Sequence, residues 1–373
     1  MVNNKNIIRL SKSSIGLEEI KAVESVLKKE FLGMGEEVKF FEDELTDFIR
    51  CQTVCVNTGT SALQLALQAI GIKPLDEVLV QSLTYVASFQ AITACGAIPI
   101  ACEVNPESMT IDLNDASNKI SDKTVAIMPV HFSGSPGDLD SIYEFANKFN
   151  LRVIEDAAHA FGSKYKGNLI GSFGDIICFS FDGIKNITSG EGGAICSRDE
   201  KIINKIKDIR LLGVAKDSEN RYLNKRTWDF DVFEQGWRYH MSNIMAAIGR
   251  QQLLKFPIFK NKRQMLAKLY FNYLKNQPNL RLLNINYEEI VPHIFVIFIL
   301  NGNRNLIKQK LENKGIQTGI HYYPNDLLSY FRQNNCPITK IHFEQILTLP
   351  LHVDLTKENI KYVSNNLISI LNE

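Results

Sequence analysis

One lysine stands where a lysine is costly. Lys185 lies in the stretch 175–196, DIICFSFDGIKNITSGEGGAIC, five residues after Ser180 and between two apolar runs of strand type, Ile176 to Phe179 and Ala194 to Cys196. A cluster of Gly190, Gly192 and Gly193 turns the chain between them. Desolvation in such a setting disfavours the ammonium form, lowers the amine pKa and leaves a nucleophile able to form an imine with a carbonyl compound. The plainer alternative is a glycine-flanked loop lysine pointing to water, and spacing alone leaves the two about even.

Other residues carry chemistry at the ends of apolar runs. Leu151 to Ile154 runs straight into Glu155, Asp156, Ala157, Ala158 and His159, and a carboxylate at the C-terminal end of a parallel strand faces the crevice where α/β proteins bind ligands. Asp156 could equally cap a helix, and His159 could be a satisfied core histidine. Residues 51–69, CQTVCVNTGTSALQLALQA, read as a strand, a turn from Asn57 to Ser61 and a helix. The helix N-terminus with the Thr60 and Ser61 hydroxyls outlines a phosphate cradle, although the same residues serve equally as a helix cap. Tyr85, after Thr84, is either a core aromatic or a flat lid over a ring.

The elements that must position these groups alternate. Ile15 to Phe31 has helical apolar spacing and meets the turn of Gly33, Met34 and Gly35, and a second helix covers Val38 to Phe48. Residues 77–104 read as strand, helix and strand, with the helix over Leu83 to Ala94 beginning at Thr84 and Tyr85, which is a parallel crossover. Thr124 to Val130 adds a further strand. Lys201 to Leu212 is an amphipathic helix, and the polar segment Lys216 to Asp231 is a loop long enough to be functional. Character changes near Phe256: a basic helical stretch from Lys260 to Leu274, a strand in IVPHIFVIFIL and a helix at Leu306 to Lys314. Two domains are expected, a large α/β domain over 1–255 and a smaller α+β domain over 256–373.

Composition excludes several classes. Lysine and arginine number 42 against 41 acidic residues among 373, so a net charge of +1 offers no global field for nucleic acid or a membrane surface. No run reaches the roughly 18 apolar residues that span a bilayer, and the N-terminus lacks a signal-peptide pattern, so a cytoplasmic protein is expected. Seven scattered cysteines read as reduced core residues; Cys51 and Cys55 have no second pair at zinc spacing, and no metal site is expected. No GxGxxG follows the first strand, against a dinucleotide-binding dehydrogenase.

FSFDGIKNITSGEGG resembles the cofactor-lysine signature of the sugar aminotransferases that use pyridoxal phosphate, the DegT/DnrJ/EryC1/StrS type. The opening segment, the phosphate loop, EDAAHA and LTLPLHVDLTKENI follow the order of that family over nearly the whole chain. The resemblance implies the aspartate aminotransferase fold (fold type I), with a mainly parallel sheet in the large domain, and pyridoxal 5'-phosphate as cofactor. Lys185 would carry the cofactor and move protons during the reaction. Gly59, Thr60 and Ser61 would hold its phosphate, Tyr85 would stack on its ring, Asp156 would pair with the ring nitrogen, His159 would lie near its phenolic oxygen, and Ser180 would line the site.

The same resemblance implies a homodimer with shared active sites, L-glutamate and 2-oxoglutarate as donor and product, and a nucleotide-linked keto sugar as acceptor. The opening IIRLSKSSIG and FLGMGEEV are closer to relatives that aminate C4, which points to dTDP-4-dehydro-6-deoxyglucose becoming dTDP-4-amino-4,6-dideoxyglucose for O-antigen synthesis. A C3 aminotransferase, a UDP- or GDP-linked substrate, and a binding or regulatory protein without turnover are the alternatives. Sugar dehydratases of this family have histidine in place of the lysine, which Lys185 argues against. Where most members carry an asparagine that reaches the neighbouring subunit's cofactor phosphate, this chain has Arg238, whose guanidinium can serve an anion. Met34, His321 and Tyr322 are implied substrate contacts, whereas Asn325 replaces a second histidine of many relatives.

Overall fold

The computed structural model describes residues 7–226 and 228–373. Short apolar runs bounded by turn residues form strands at Thr53–Val56 (β1), Glu77–Gln81 (β2), Ile98–Cys102 (β3), Thr124–Met128 (β4) and Arg152–Asp156 (β5). A hairpin of Lys164–Tyr165 (β6) and Asn168–Leu169 (β7) precedes Ile176–Ser180 (β8) and Gly193–Ser197 (β9). Seven of these make one sheet in the order β1-β9-β8-β5-β4-β2-β3. β9 alone runs against its neighbours, because it returns from β8 directly through the Lys185 loop.

Helices Leu17–Lys28 (α1), Glu36–Ile49 (α2), Gly59–Ala69 (α3), Val86–Ala94 (α4), Leu113–Lys119 (α5), Leu139–Phe149 (α6), Glu200–Ile209 (α7) and Asp217–Tyr222 (α8) surround the sheet. Side chains of β8 alternate between the two layers. Ile177 and Phe179 join the core with Phe41 and Phe161, while Ile176 and Cys178 join the core with Leu63 and Ile206. The helix expected from Leu83 starts only at Val86, since Tyr85 is extended and caps it. The polar segment after Lys216 contains α8, fixed by a 2.7 Å hydrogen bond that Arg210 Nη2 donates to the Tyr222 hydroxyl.

The helix Asn243–Leu274 (α9) then leads to a second, antiparallel sheet of Leu280–Leu282 (β10), Phe295–Ile299 (β11) and Ile346–Leu349 (β12). Arg304–Asn313 (α10), Pro337–Gln345 (α11) and Lys357–Leu371 (α12) complete this lobe. Its core joins Leu266, Tyr270 and Leu274 of α9 to Ile297, Leu347 and Val363. The expected division after residue 255 therefore falls inside one continuous helix. Ile8, at the start of the chain, also pairs with Ile316 and packs on the second lobe. Among the described residues no helix is long and apolar enough to cross a membrane, and no group of histidine, cysteine and carboxylate side chains is placed to hold a metal ion.

Candidate active site

Parallel strands bring their carboxyl ends to one edge, and the sequence places its polar residues there. Thr58 and Gly59 follow β1, Thr84 and Tyr85 follow β2, Asp156 ends β5 and Ser180 ends β8. Together with Lys185, His159, Asp182, Glu191, His293, His321 and Tyr322 they line a cleft of about 450 Å³. Such a crevice is where open α/β sheets bind ligands.

Lys185 sits in the loop between β8 and β9, anchored next door by Asn186, whose Nδ2 donates to Phe161 O and Val291 O at 3.1 Å each. Its Nζ lies 3.5 Å from His293 Nε2. Burial pushes its pKa down to about 8, against the opposing pull of Asp182 and Asp156 and with help from Arg263. About a tenth of the amine is thus neutral at pH 7, against less than about a thousandth for an ordinary lysine.

Asp156 is 5% exposed, and burial raises its pKa. Its charge is eased by Ser88 Oγ, which donates to Oδ2 at 2.7 Å, and by Ala158 N, which donates to Oδ1 at 3.2 Å. His159 is held well below its usual pKa by burial and by the Lys185 charge. The Tyr322 hydroxyl and His159 Nε2 share a 2.8 Å hydrogen bond, and Nδ1 has no partner; when the hydroxyl donates, the neutral imidazole carries its proton on Nδ1. Tyr85, 60% exposed, stands at the lip with its ring 5.7 Å from that of Tyr322. His321 bonds Thr348 Oγ1 at 2.9 Å through Nδ1, and burial brings its pKa to about 4.

These residues fit a phosphate-bearing aromatic aldehyde. A Cβ at Gly59 would come within 2.8 Å of Ser180 Cβ, so only glycine lets the start of α3 close against the end of β8. Among the described residues the Gly59 and Thr60 N–H groups have no acceptor in the chain, as the first groups of a helix do not, and both residues line the cleft. The unpaired His159 Nδ1 and the carboxylate of Asp156 offer a donor and a negative charge for the ring. Lys185 is the one lysine or arginine that lines the cleft among the described residues.

Three sequence candidates stand elsewhere. Ser61 is turned away, its hydroxyl donating to Asn57 Oδ1 and Thr58 O at 2.8 Å and its N–H capped by Thr58 Oγ1, so it fixes the turn instead of lining the cleft. Met34 is 2% exposed, in the core beside Val38 and Phe41. Arg238 is exposed beside Arg221, Phe230 and His240, off the cleft of its own chain. Asn325 is fully buried, donating to Ser82 O and Thr84 O at 3.0 and 2.8 Å, and pins the second lobe's loop to the end of β2. His293, Asp182 and Glu191 escaped the sequence reading. The signal available for His293 was a polar residue just ahead of the fully apolar β11.

The profile of the DegT/DnrJ/EryC1/StrS aminotransferase family matches residues 13–368. An uncharacterized protein of Methanocaldococcus jannaschii, MJ1066, is 33% identical over 371 residues, 96% of each chain. Among solved structures, the candidate sugar aminotransferase Spr1654 of Streptococcus pneumoniae, known in forms with pyridoxal phosphate and with its aminated counterpart, superimposes with a TM-score of 0.91 at 28% identity over 98% of both chains. PseC of Helicobacter pylori, an aminotransferase of pseudoaminic acid biosynthesis, superimposes with a TM-score of 0.91 at 25% identity, over 98% of this chain and 100% of its own.

Proposed function

The chain belongs to the DegT/DnrJ/EryC1/StrS aminotransferase family, and from that premise we propose that it moves an amino group from L-glutamate to C4 of a nucleotide-linked 4-keto-6-deoxyhexose. It is a sugar aminotransferase of the pyridoxal-phosphate-dependent kind. The carrier we propose is dTDP, with dTDP-4-amino-4,6-dideoxyglucose as the product, in the cytoplasm, where seven free cysteines stay reduced. The observation that carries the reading is the convergence of Lys185, Asp156 and the start of α3 on one cleft.

When bound, pyridoxal phosphate supplies a ring that accepts the electron pair of the substrate carbon as its proton leaves. The chain's own residues do the rest. The N–H groups of Gly59 and Thr60, with the Ser180 hydroxyl, bind the phosphate, and Tyr85 covers the ring. Asp156, kept charged by Ser88 and Ala158, holds a proton on the ring nitrogen. His159, oriented by Tyr322, donates from Nδ1 to the phenolic oxygen. Lys185 takes a proton at neutral Nζ and returns it at the neighbouring carbon; an amine with pKa near 8 does both at physiological pH. His321 and Tyr322 face the acceptor sugar.

A doubly charged phosphate asks for more than one helix end, and among the described residues Lys185 is the one cation that lines the cleft. Arg238, exposed and without a carboxylate partner among the described residues, supplies it from a second copy in a homodimer. Arg238→Ala then weakens retention of pyridoxal phosphate about tenfold or more, read by equilibrium dialysis; unchanged affinity removes Arg238 from the phosphate site.

The functional test is an absorbance spectrum with pyridoxal phosphate before and after L-glutamate, in the parent and in Lys185→Ala. The parent alone should show a visible-edge band that disappears with glutamate and returns with the correct keto-sugar nucleotide. Screening dTDP-, UDP- and GDP-linked sugars with keto groups at C3 or C4 then identifies the acceptor. A parent without that band sinks the reading.

A further inference from the structure

A second buried cation stands directly behind Lys185. Arg263, on α9, is 3% exposed and forms no ion pair among the described residues. Its fork meets carbonyl oxygens only. Nη1 donates to Pro292 O at 3.4 Å, His293 O at 3.2 Å and Leu351 O at 3.3 Å, Nη2 reaches Lys185 O at 3.5 Å, and Nε has no partner. Burial pulls its pKa down to about 10, so it stays charged at neutral pH. Carbonyl dipoles receive its two terminal nitrogens without cancelling its charge. A buried guanidinium is ordinarily paired, because an uncompensated charge away from water costs stability.

Two of these four carbonyls belong to the two residues whose side chains meet in the cleft, Lys185 and His293. We propose that Arg263 is a positioning residue for Lys185: it grips the backbone of Lys185 and of His293 at once, setting Nζ against the imidazole, and leaves an unneutralised positive charge behind the lysine. The proposal rests on the reading of Lys185 as the cofactor lysine for its use, and on geometry alone for its existence.

The balance of charge around the amine favours this. Asp182 from its own loop and Asp156 from β5 pull it toward the ammonium form, and Arg263 from α9 pushes the other way. The three histidines that face it, His159, His293 and His321, have pKa values lowered chiefly by burial and are neutral, so they contribute no opposing charge. Tyr322 and Glu191 share the cleft; burial raises the pKa of both, which leaves the phenol neutral. Burial is the largest influence lowering the Lys185 pKa, and among the charged groups that act on it Arg263 is the one that adds to burial against the pull of the two carboxylates.

The test uses the full-length protein without cofactor. The rate at which a small amine-acylating ester modifies Lys185 is followed by peptide mass spectrometry across pH, in the parent, Arg263→Met and Arg263→Lys. The parent should show a midpoint near pH 8. Arg263→Met should move it up by about one unit, a roughly tenfold slower modification at pH 7, and Arg263→Lys, which keeps the charge, should stay near the parent. A folded Arg263→Met with the parent's midpoint overturns the proposal. If Arg263→Met does not fold, Arg263→Gln is read in the same way, and a parent midpoint near an ordinary lysine's overturns the proposal whatever the variants do. A shifted midpoint together with no glutamate-sensitive spectrum would instead sink the functional reading and leave Arg263 in place.

Discussion

Two buried arginines separate the part of this molecule built for stability from the part built for chemistry. Arg210, at the end of α7, is fully buried and answered: Glu42 of α2 accepts from Nη1 and from the Tyr222 hydroxyl, Cys55 O accepts at 2.6 Å, and Cys55 N donates to the same Glu42 carboxylate at 2.8 Å. Burial acts to lower its pKa, but Glu42 outweighs that and raises it. Arg263 is also buried, pairs with no carboxylate among the described residues, and has its pKa lowered by burial. The same side chain thus ties α2, α7 and α8 to the sheet in one place and perturbs a nucleophile in the other. What differs is whether a counter-charge comes with it.

The comparison predicts that the two regions respond to different measurements. The largest effect belongs to the cleft: Lys185→Ala should cut amino transfer by about 10⁴-fold or more while the apo protein remains folded, checked by turnover and circular dichroism. Glu42→Ala, on the other side, leaves Arg210 charged and alone, and should lower stability by about 3–5 kcal/mol in urea titrations without moving the Lys185 modification profile. A moved profile would break the distinction.

Asp156→Asn sharpens it. Because burial raises the pKa of Asp156, its ionised form costs the apo protein stability above the ordinary carboxylate range. The amide removes that cost, so the apo melting temperature should hold or rise while turnover falls by about 10²–10³-fold.

The smallest effect is a pH dependence. Lys185 titrates near 8 when folded against an ordinary 10.5, so between those values the unfolded chain binds more protons and parent stability rises with pH. Below pH 8 the full cost of the buried amine is present. The gain in apo melting temperature of Lys185→Met over the parent should therefore be greatest below pH 8 and shrink toward pH 10.5; a constant gain would mean an amine titrating as in water.

Much of the site was legible because strand ends announce themselves. Asp156 and Ser180 close apolar runs, Gly59 and Thr60 open a helix after one, and Lys185 sits between two; pattern placed them at element ends, and the family resemblance is what implied that they share one site. Ser61 and Met34 were misplaced for local reasons the sequence does not fix. A serine two residues into a helix start can turn toward a ligand or back to its own turn, and here Asn57 and Thr58 take it. A methionine between glycines can face either way. His293, a polar residue just ahead of apolar β11, and Arg263, within a basic helical stretch, gave no hint of their common partner, lying 108 and 78 residues from Lys185.

The sequence by itself determined the order of strands and helices, the parallel sheet and the residues at its carboxyl edge, because hydrophobic period and turn chemistry act over a few neighbours. Only the tertiary structure decided which distant groups meet Lys185, that α9 belongs to both lobes, and that Arg238 points away from its own cleft. Burial and charge balance depend on what packs across the chain, and a pKa follows from that packing, not from the residue's place in the sequence.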